Sequence, residues 1–250
     1  MTGILGGDEY RHSAEYVDVL LADPWRMFGP LVAAGLEGVD PDSGPIVDLG
    51  AGTGRGVLAV AAALPTADII AVEPSAAMRA VLMARVGSDE RLRQRVTVVG
   101  GDLDAVRTPE PFAAVLAMNM IGHLDRTARK VFWTSLARRL APGGPLVVNL
   151  QPPSEAVEVM ETPASAVVVG RRRYLGSGRA APTAADQVTW HMTYRTVEDG
   201  VTVAEERVSY SWWVLSEAGL RDELSVAGLH AEHLGPPEAG VYIGRRPAGR

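Results

Sequence analysis

Three carboxylates close apolar runs in the first half of the chain: Asp48 in IVDLGAGTGRG, Glu73 in DIIAVEP and Asp102 in VVGGDLD. Behind the first, glycine takes every second position from Gly50 to Gly56. Glycine adopts backbone angles closed to other residues and has no side chain to hold a ligand away. A strand that runs through such a turn into a helix offers free backbone N–H groups to whatever sits there. The two oxygens of Glu73 suit a ribose diol. Asp102 can accept a hydrogen bond from an adenine amino group, and Asp48 suits a cationic amino group while repelling a pyrophosphate. A dinucleotide turn would need glycine at position 55, where Arg55 stands. The three acids together describe a ligand with an amino group, a ribose and an adenine.

These residues need a frame that brings strand ends together. Before Asp42, SAEYVDVLLA and PWRMFGPLVAAGLEGV read as two helices, the second with Pro24 in its first turn behind Asp23 as cap. From Gly44, short apolar runs alternate with helical patterns. PIVDLG, DIIAVEP, RVTVVGGD, FAAVLAMNM and PLVVNL read as buried strands, and GVLAVAAAL, SAAMRAVLMARV and RTARKVFWTSLARRL as helices. Strands buried on both faces and alternating with helices predict a doubly wound parallel sheet in an α/β fold. Its ligands lie beyond the carboxyl ends of the strands, where strand order reverses.

After Gln151 the pattern changes to DQVTWHMTYRTVEDGVTVAEERVSYSWWVL, two alternating runs about Asp199-Gly200 that predict an inserted antiparallel β-hairpin. Counting back from a two-residue turn sets His191 opposite Val208. That count places His191, Val208 and Tyr210 on one face, and Trp190, Met192 and Tyr194 with Glu205 and Arg207 on the other. A helix in SEAGLRDELSVAGL and strands in LHAEHL and GVYIGRR close the chain. The expected organisation is a single domain, with an N-terminal helical cap over 1–41, a ligand-binding core over 42–151, the inserted hairpin over 152–215 and the closing elements over 216–250.

Composition narrows the function. The chain has 250 residues, 47% of them hydrophobic, enough for a sizeable core. It has no cysteine, which excludes disulfides, thiolate metal sites and a cysteine nucleophile. No metal-ligand set stands out. A net charge of -6 argues against nucleic acid as partner. The N-terminus has no signal-peptide pattern and no apolar run approaches a membrane span, so a cytoplasmic protein with no membrane partner is expected.

The ordered series VDLGAGTGRG, IIAVEPSAAM, VVGGDLDAV, FAAVLAMNMIGHL and LARRLAPGGPLVVNL resembles the class I S-adenosylmethionine-dependent methyltransferases. The resemblance implies a Rossmann-like seven-stranded sheet with the last strand antiparallel. It also implies S-adenosyl-L-methionine as cofactor and S-adenosyl-L-homocysteine as product. By position, Asp48, Gly50, Ala51 and Gly52 would surround the methionine part, and Glu73 and Pro74 the ribose. Met78, Gly101, Asp102 and Leu103 would lie at the adenine, with Asn119 flanking the sulfonium. Where the family often carries an acid early in the fourth strand, this chain has Phe112-Ala113-Ala114-Val115.

The acceptor expected is a small molecule. The fourth strand ends in AMNM rather than in the Pro-Pro motif of enzymes that methylate base amines, and cytosine C5 chemistry needs the missing thiol. Candidate catalytic residues are His123 after the fourth strand, and His191 and Tyr210 on the hairpin. Tyr10, His12 and Tyr16 lie in the segment expected to fold over the cofactor, while Trp212 and Trp213 read as core or interface. RRRYLGSGR (171–179) reads as a solvated loop or edge strand, or else as an anion site. The single-domain size, the inserted cap and a GC-rich composition point to natural-product biosynthesis, and the aromatic hairpin to a homodimer. Against this stands a protein that keeps fold and cofactor without transferring a methyl group, such as a cyclase or binding subunit. A nicotinamide oxidoreductase is disfavoured by Arg55 and Asp48, and a protein or RNA methyltransferase by charge and the missing motif.

Overall fold

The computed structural model describes residues 8–108, 111–161 and 164–246. Two helices, α1 (Ala14–Leu20) and α2 (Ala22–Gly35), precede the core. Pro24 stands in the first turn of α2 as expected, but the helix begins at Ala22, so Asp23 lies inside that turn and does not cap it.

Strands β1 (Ile46–Leu49), β2 (Ile69–Val72), β3 (Val96–Val99), β4 (Ala114–Ala117) and β5 (Leu146–Asn149) alternate with helices α3 (Arg55–Ala63), α4 (Ala76–Gly87), α5 (Glu90–Arg95) and α6 (Arg126–Arg139). After the inserted region come α7 (Glu217–Val226), β10 (His230–His233) and β11 (Val241–Arg245). The seven strands order as β10-β11-β5-β4-β1-β2-β3. β1 to β5 are mutually parallel, and the chain's last strand, β11, runs antiparallel to β5. Strand order reverses between β1 and β4, which places the crevice at the carboxyl end of β1.

The strands are apolar on both faces because helices cover both. Val47, Leu49, Val115 and Val148 pack with Trp133, Leu136 and Leu220 on one side, and Ile46, Leu116 and Val147 with Val32, Val60 and Leu82 on the other. Ser75 caps α4 by accepting from the Met78 N–H at 3.1 Å, and Asp125 caps α6 through the Ala128 N–H at 2.7 Å. Among the described residues no helix is long and apolar enough to cross a membrane.

The inserted region is larger than the expected hairpin. β6 (Ser165–Val169), β7 (Arg172–Ala184), β8 (Gln187–Glu198) and β9 (Val201–Trp213) form a four-stranded antiparallel sheet in that order. RRRYLGSGR thus lies largely in an interior strand, β7, and not in a loop or at an edge. The turn at Asp199-Gly200 stands where the sequence places it, but the pairing slips. Val197 faces Thr202 while Thr196 faces Ala204, so Val203 is an extra, bulged residue. Past the bulge His191 lies opposite Ser209, not Val208, and Tyr210 lies opposite Trp190. A one-residue slip changes faces. Tyr210 therefore joins Trp190, Met192 and Tyr194, and His191 joins Glu205 and Arg207 on the other face.

Candidate active site

The glycine turn leaves β1 with Gly50, Gly52 and Gly54 at φ of 68°, 55° and 90°, angles that favour glycine. A Cβ on Gly50 would come within 2.8 Å of the Met120 side chain, whereas one on Gly52 would meet nothing nearer than the Gly50 carbonyl oxygen at 3.9 Å. Gly52 therefore borders open space.

Glu73 flanks that space, and Asp48 lies against Gly56 in the same turn. Glu73 is buried, accepting from the Gly52 N–H at 2.8 Å and from the Ser75 N–H at 2.7 Å. Burial raises its pKa, against the pull of those two N–H groups. Asp48 is 2% exposed, and its Oδ2 has no hydrogen-bond partner. Burial, and then the nearby Glu73, push its pKa up to about 7, only partly offset by the Val57 N–H. Asp48 Oδ2 lies against Gly56, at the helix end of the same glycine turn, and an orphaned buried carboxylate oxygen there fits a ligand that brings a cationic donor. The residues present therefore fit the amino-acid end and ribose of S-adenosylmethionine.

The remaining cofactor candidates ring the same strand ends. Met78 is buried at the start of α4, and Pro74 is exposed beside Glu73. Asp102 is exposed and accepts from the Asp104 N–H at 3.0 Å, heading a short turn in which Leu103 is buried and Gly101 has φ 138°. Ala51 is buried in the turn itself. Asn119, just after β4, has φ 57° and is held by a residue the sequence reading passed over. Asn149 Oδ1 accepts from the Asn119 backbone N–H at 2.6 Å, and Asn149 Nδ2 donates to Asn119 Oδ1 at 2.8 Å. The available signal was a polar residue ending an otherwise apolar strand.

A second cluster lies beyond β4. The Tyr10 hydroxyl is 2.8 Å from His123 Nε2, and His123 packs edge-on to Trp212 at 5.0 Å with Tyr210 at 6.1 Å. Tyr10 and Tyr210 lie 6.3 Å apart. Trp212 can lie there because the residue before His123 is Gly122, whose Cβ would be 1.9 Å from its ring. Burial lowers the His123 pKa to about 4, so the ring is neutral near pH about 7. The Glu9 carboxylate, 3.8 Å from Nδ1, favours the proton on that nitrogen, which leaves Nε2 to accept from Tyr10. Burial, followed by neighbouring tyrosine and carboxylate charges, holds both Tyr10 and Tyr210 protonated. His191 is absent from the cluster. It sits on the outer face of the four-stranded sheet with Nδ1 2.8 Å from Ser209 Oγ, carried there by the bulge at Val203.

Residues 8–20 tie both clusters together. Asp8 accepts from the Ala77 N–H at 3.1 Å beside Glu73. The Tyr16 hydroxyl meets Thr196 Oγ1 at 2.9 Å, and its ring stacks on Tyr194 at 5.2 Å. Asp18 accepts from Thr53 Oγ1 at 2.7 Å and from Arg85 at 3.0 Å, while Arg55 donates to its carbonyl oxygen. Tyr16 is thus a strut, and His12 is exposed on the surface. Arg171 and Arg172 pair with Glu198 at 3.0 and 2.9 Å, leaving RRRYLGSGR outside both clusters.

The comparisons with known proteins agree with this geometry. Residues 46–144 match the family described as a methyltransferase domain. No curated protein matches the sequence. Among solved structures, CalS10, an amino pentose methyltransferase from Micromonospora echinaspora involved in calicheamicin biosynthesis, superposes with a TM-score of 0.74 at 17% identity, covering 93% of this chain and 96% of its own. DesVI from Streptomyces venezuelae gives 0.70 at 20% identity, with 95% and 94% covered. The sugar N-methyltransferase KedS8 from Streptoalloteichus sp. gives 0.67 at 20%, with 91% and 88% covered. At such identities the likeness is one of fold, and it extends over the four-stranded sheet as well as the core. The segment from β1 to the turn before β5 matches the methyltransferase-domain family, and the whole chain has the class I methyltransferase fold.

Proposed function

We propose that this protein transfers the methyl group of S-adenosylmethionine to an amine of a small-molecule acceptor, with an amino sugar of natural-product biosynthesis as the favoured class. The observation that carries the reading is a pair of clusters at the carboxyl ends of neighbouring strands. Buried Asp48 and Glu73 close β1 and β2 at the glycine turn, and the aromatic cluster of Tyr10, His123, Tyr210 and Trp212 is built on the segment that follows β4. The fold likeness to amino pentose and sugar N-methyltransferases supports the choice of acceptor.

The cofactor, when bound, supplies an electrophilic methyl group on a sulfonium. Asp48 would take its amino group and Glu73 its ribose hydroxyls. Asp102 and Leu103 would hold the adenine, and Asn119, locked by Asn149, would border the sulfur. Tyr10, Tyr210 and Trp212 wall the acceptor pocket, exclude water and attract a cationic or neutral amine through their ring faces. The acidity of His123 helps to choose the acceptor atom. A ring with a pKa of about 4 is too weak a base to take an alcohol proton, whereas an amine reacts once neutral and needs positioning above all. Neutral His123 holds the Tyr10 hydroxyl and so fixes the Tyr10 ring.

Calorimetric titration with S-adenosylmethionine, S-adenosylhomocysteine and NADH tests the cofactor assignment. Binding of the first two without the third is expected, and binding of NADH alone sinks the reading. Incubation with methyl-labelled cofactor and a panel of amino sugars then tests the acceptor. Cofactor binding without S-adenosylhomocysteine formation on any amine, alcohol or carbon acceptor would leave the binding-subunit alternative standing.

A further inference from the structure

Just past the ends of β4 and β5 stands a pair of amides whose orientation follows from bonding alone. The Asn119 backbone N–H can only donate, so the Asn149 atom that receives it at 2.6 Å is Oδ1. Nδ2 is then the Asn149 atom that reaches Asn119 at 2.8 Å. It too can only donate, which makes the receiving atom Asn119 Oδ1. Asn149 is 3% exposed, and turning either amide over would set donor against donor with no water to take up the mismatch. The other end of the Asn119 amide, Nδ2, has no protein partner among the described residues and is not sealed from solvent.

The neighbouring glycine turn has the opposite condition: its donors are spent. The two segments touch, because a Cβ on Gly50 would lie 2.8 Å from that of Met120. Within the turn the Ala51 N–H donates to the Val72 carbonyl oxygen at 2.9 Å, the Gly52 N–H to Glu73 at 2.8 Å and the Gly54 N–H to the Ala51 carbonyl oxygen at 2.8 Å. The nearby cations are engaged as well. Arg55 donates to the Asp18 carbonyl oxygen, and Arg85 to the Asp18 carboxylate at 3.0 Å and to the Thr53 carbonyl oxygen. The amino-acid end of S-adenosylmethionine is a zwitterion. Asp48 and Glu73 suit its amino group and its ribose, and neither can serve its carboxylate, which must be given a donor when water is removed.

We infer that Asn119 Nδ2 donates to the α-carboxylate of the bound cofactor, and that Asn149 is the positioning residue that keeps this end of the amide free for it. The inference rests on the cofactor assignment. The amide cannot offer its oxygen instead, since Oδ1 is held by Asn149, and its nitrogen cannot take the ammonium that Asp48 suits. The backbone narrows the choice further: at φ 57° asparagine, aspartate and glycine are at ease and other residues are strained. Of those three, asparagine alone brings a side-chain donor.

Calorimetry on the full chain with two ligands tests it: S-adenosylhomocysteine, and methylthioadenosine, which keeps the adenosine and the thioether but lacks the amino-acid end. Asn119→Asp is the decisive variant. It tolerates the same backbone angles and still accepts from Asn149 Nδ2, yet it sets an anionic oxygen where the donor stood. Affinity for S-adenosylhomocysteine should fall roughly 100-fold. Asn119→Gly only deletes the group and should cost roughly tenfold, while Asn149→Ala frees the amide to turn and should cost roughly threefold. Methylthioadenosine should bind all three variants within about twofold of the wild type. If Asn119→Asp binds S-adenosylhomocysteine as well as Asn119→Gly does, or better, the inference is overturned. Equal losses for the two ligands overturn it too, since they would mark a merely structural role. A wild-type chain that binds neither ligand removes the cofactor assignment itself, and this inference with it.

Discussion

In the seven-stranded sheet, β1, β2 and β4 are four residues long and almost wholly buried, whereas β7, β8 and β9 run for 12 or 13 residues and bury one face. The short strands end in one layer, so what they present to a ligand is turns: backbone N–H groups, glycines and carboxylates that close the strands. The long strands present alternate side chains on one face, reaching from Tyr174 beside Tyr16 to Trp212 beside His123. On the function proposed, one sheet would recognise through its ends and the other through its surface. Substitutions in the first should therefore act on cofactor affinity, those on the inner face of the second on turnover, and those on its outer face on neither.

The sharpest break between the two concerns His123. His123→Ala frees the Tyr10 hydroxyl and loosens the wall proposed for the acceptor, and should lower kcat by up to roughly 10²-fold through lost positioning, with cofactor affinity unchanged. A small loss in steady-state assays would remove the ring from the reaction. Next comes Glu73→Ala, which deletes an acceptor for the ribose and for the Gly52 N–H. Cofactor affinity should fall by roughly 10- to 100-fold in calorimetry, with any residual kcat at saturation little altered.

A pH series probes Asp48. Its folded pKa of about 7 lies above the ordinary 3.8, so the free protein holds a proton there in acid. A cationic amino group needs the carboxylate, so binding below pH about 7 must release that proton. Affinity should rise with pH, by up to about tenfold per unit, and level off above pH about 7. The same shift means that the stability Asp48 contributes is present in full below its unfolded pKa and is lost as pH rises through about 7. The thermal midpoint of the free protein should decline over that window, and less so with cofactor bound. A flat affinity profile would place the amino group elsewhere.

The smaller effects lie on the four-stranded sheet. Tyr16→Phe removes the bond to Thr196 and should cost about 1 kcal/mol of stability, a shift of about 2–4 °C in Tm. His191→Ala, on the outer face, should change turnover by less than about twofold. A larger effect there would mean that the two faces are not separate in function.

The two sheets also differ in how much of them could be read from the chain alone. Asp48, Gly52 and Glu73 meet because local signals fix them: each apolar run sets a strand, each glycine or serine sets a turn, and parallel order follows. The pocket beyond β4 is assembled from positions 10, 123, 210 and 212, and no local pattern joins them. The hairpin count failed at Val203, because alternation in VTVAEERV does not show which residue a ladder will leave unpaired. His191 and Tyr210 were joined by that count and parted by the bulge. The pairing of β6 with β7 was missed because the arginine run masked a strand whose other residues, Leu175, Gly176 and Ser177, are small or apolar.

The strut of residues 8–20 has a consequence for how the protein is made. Tyr10 meets a partner 113 residues away and Tyr16 one 180 residues away, so a segment synthesised well before its partners must wait for them to find its place. The glycine crevice can close around β1 to β5 while synthesis continues, but the acceptor wall waits for β8 and β9. A chain that ends before those strands would lack the wall proposed for the acceptor.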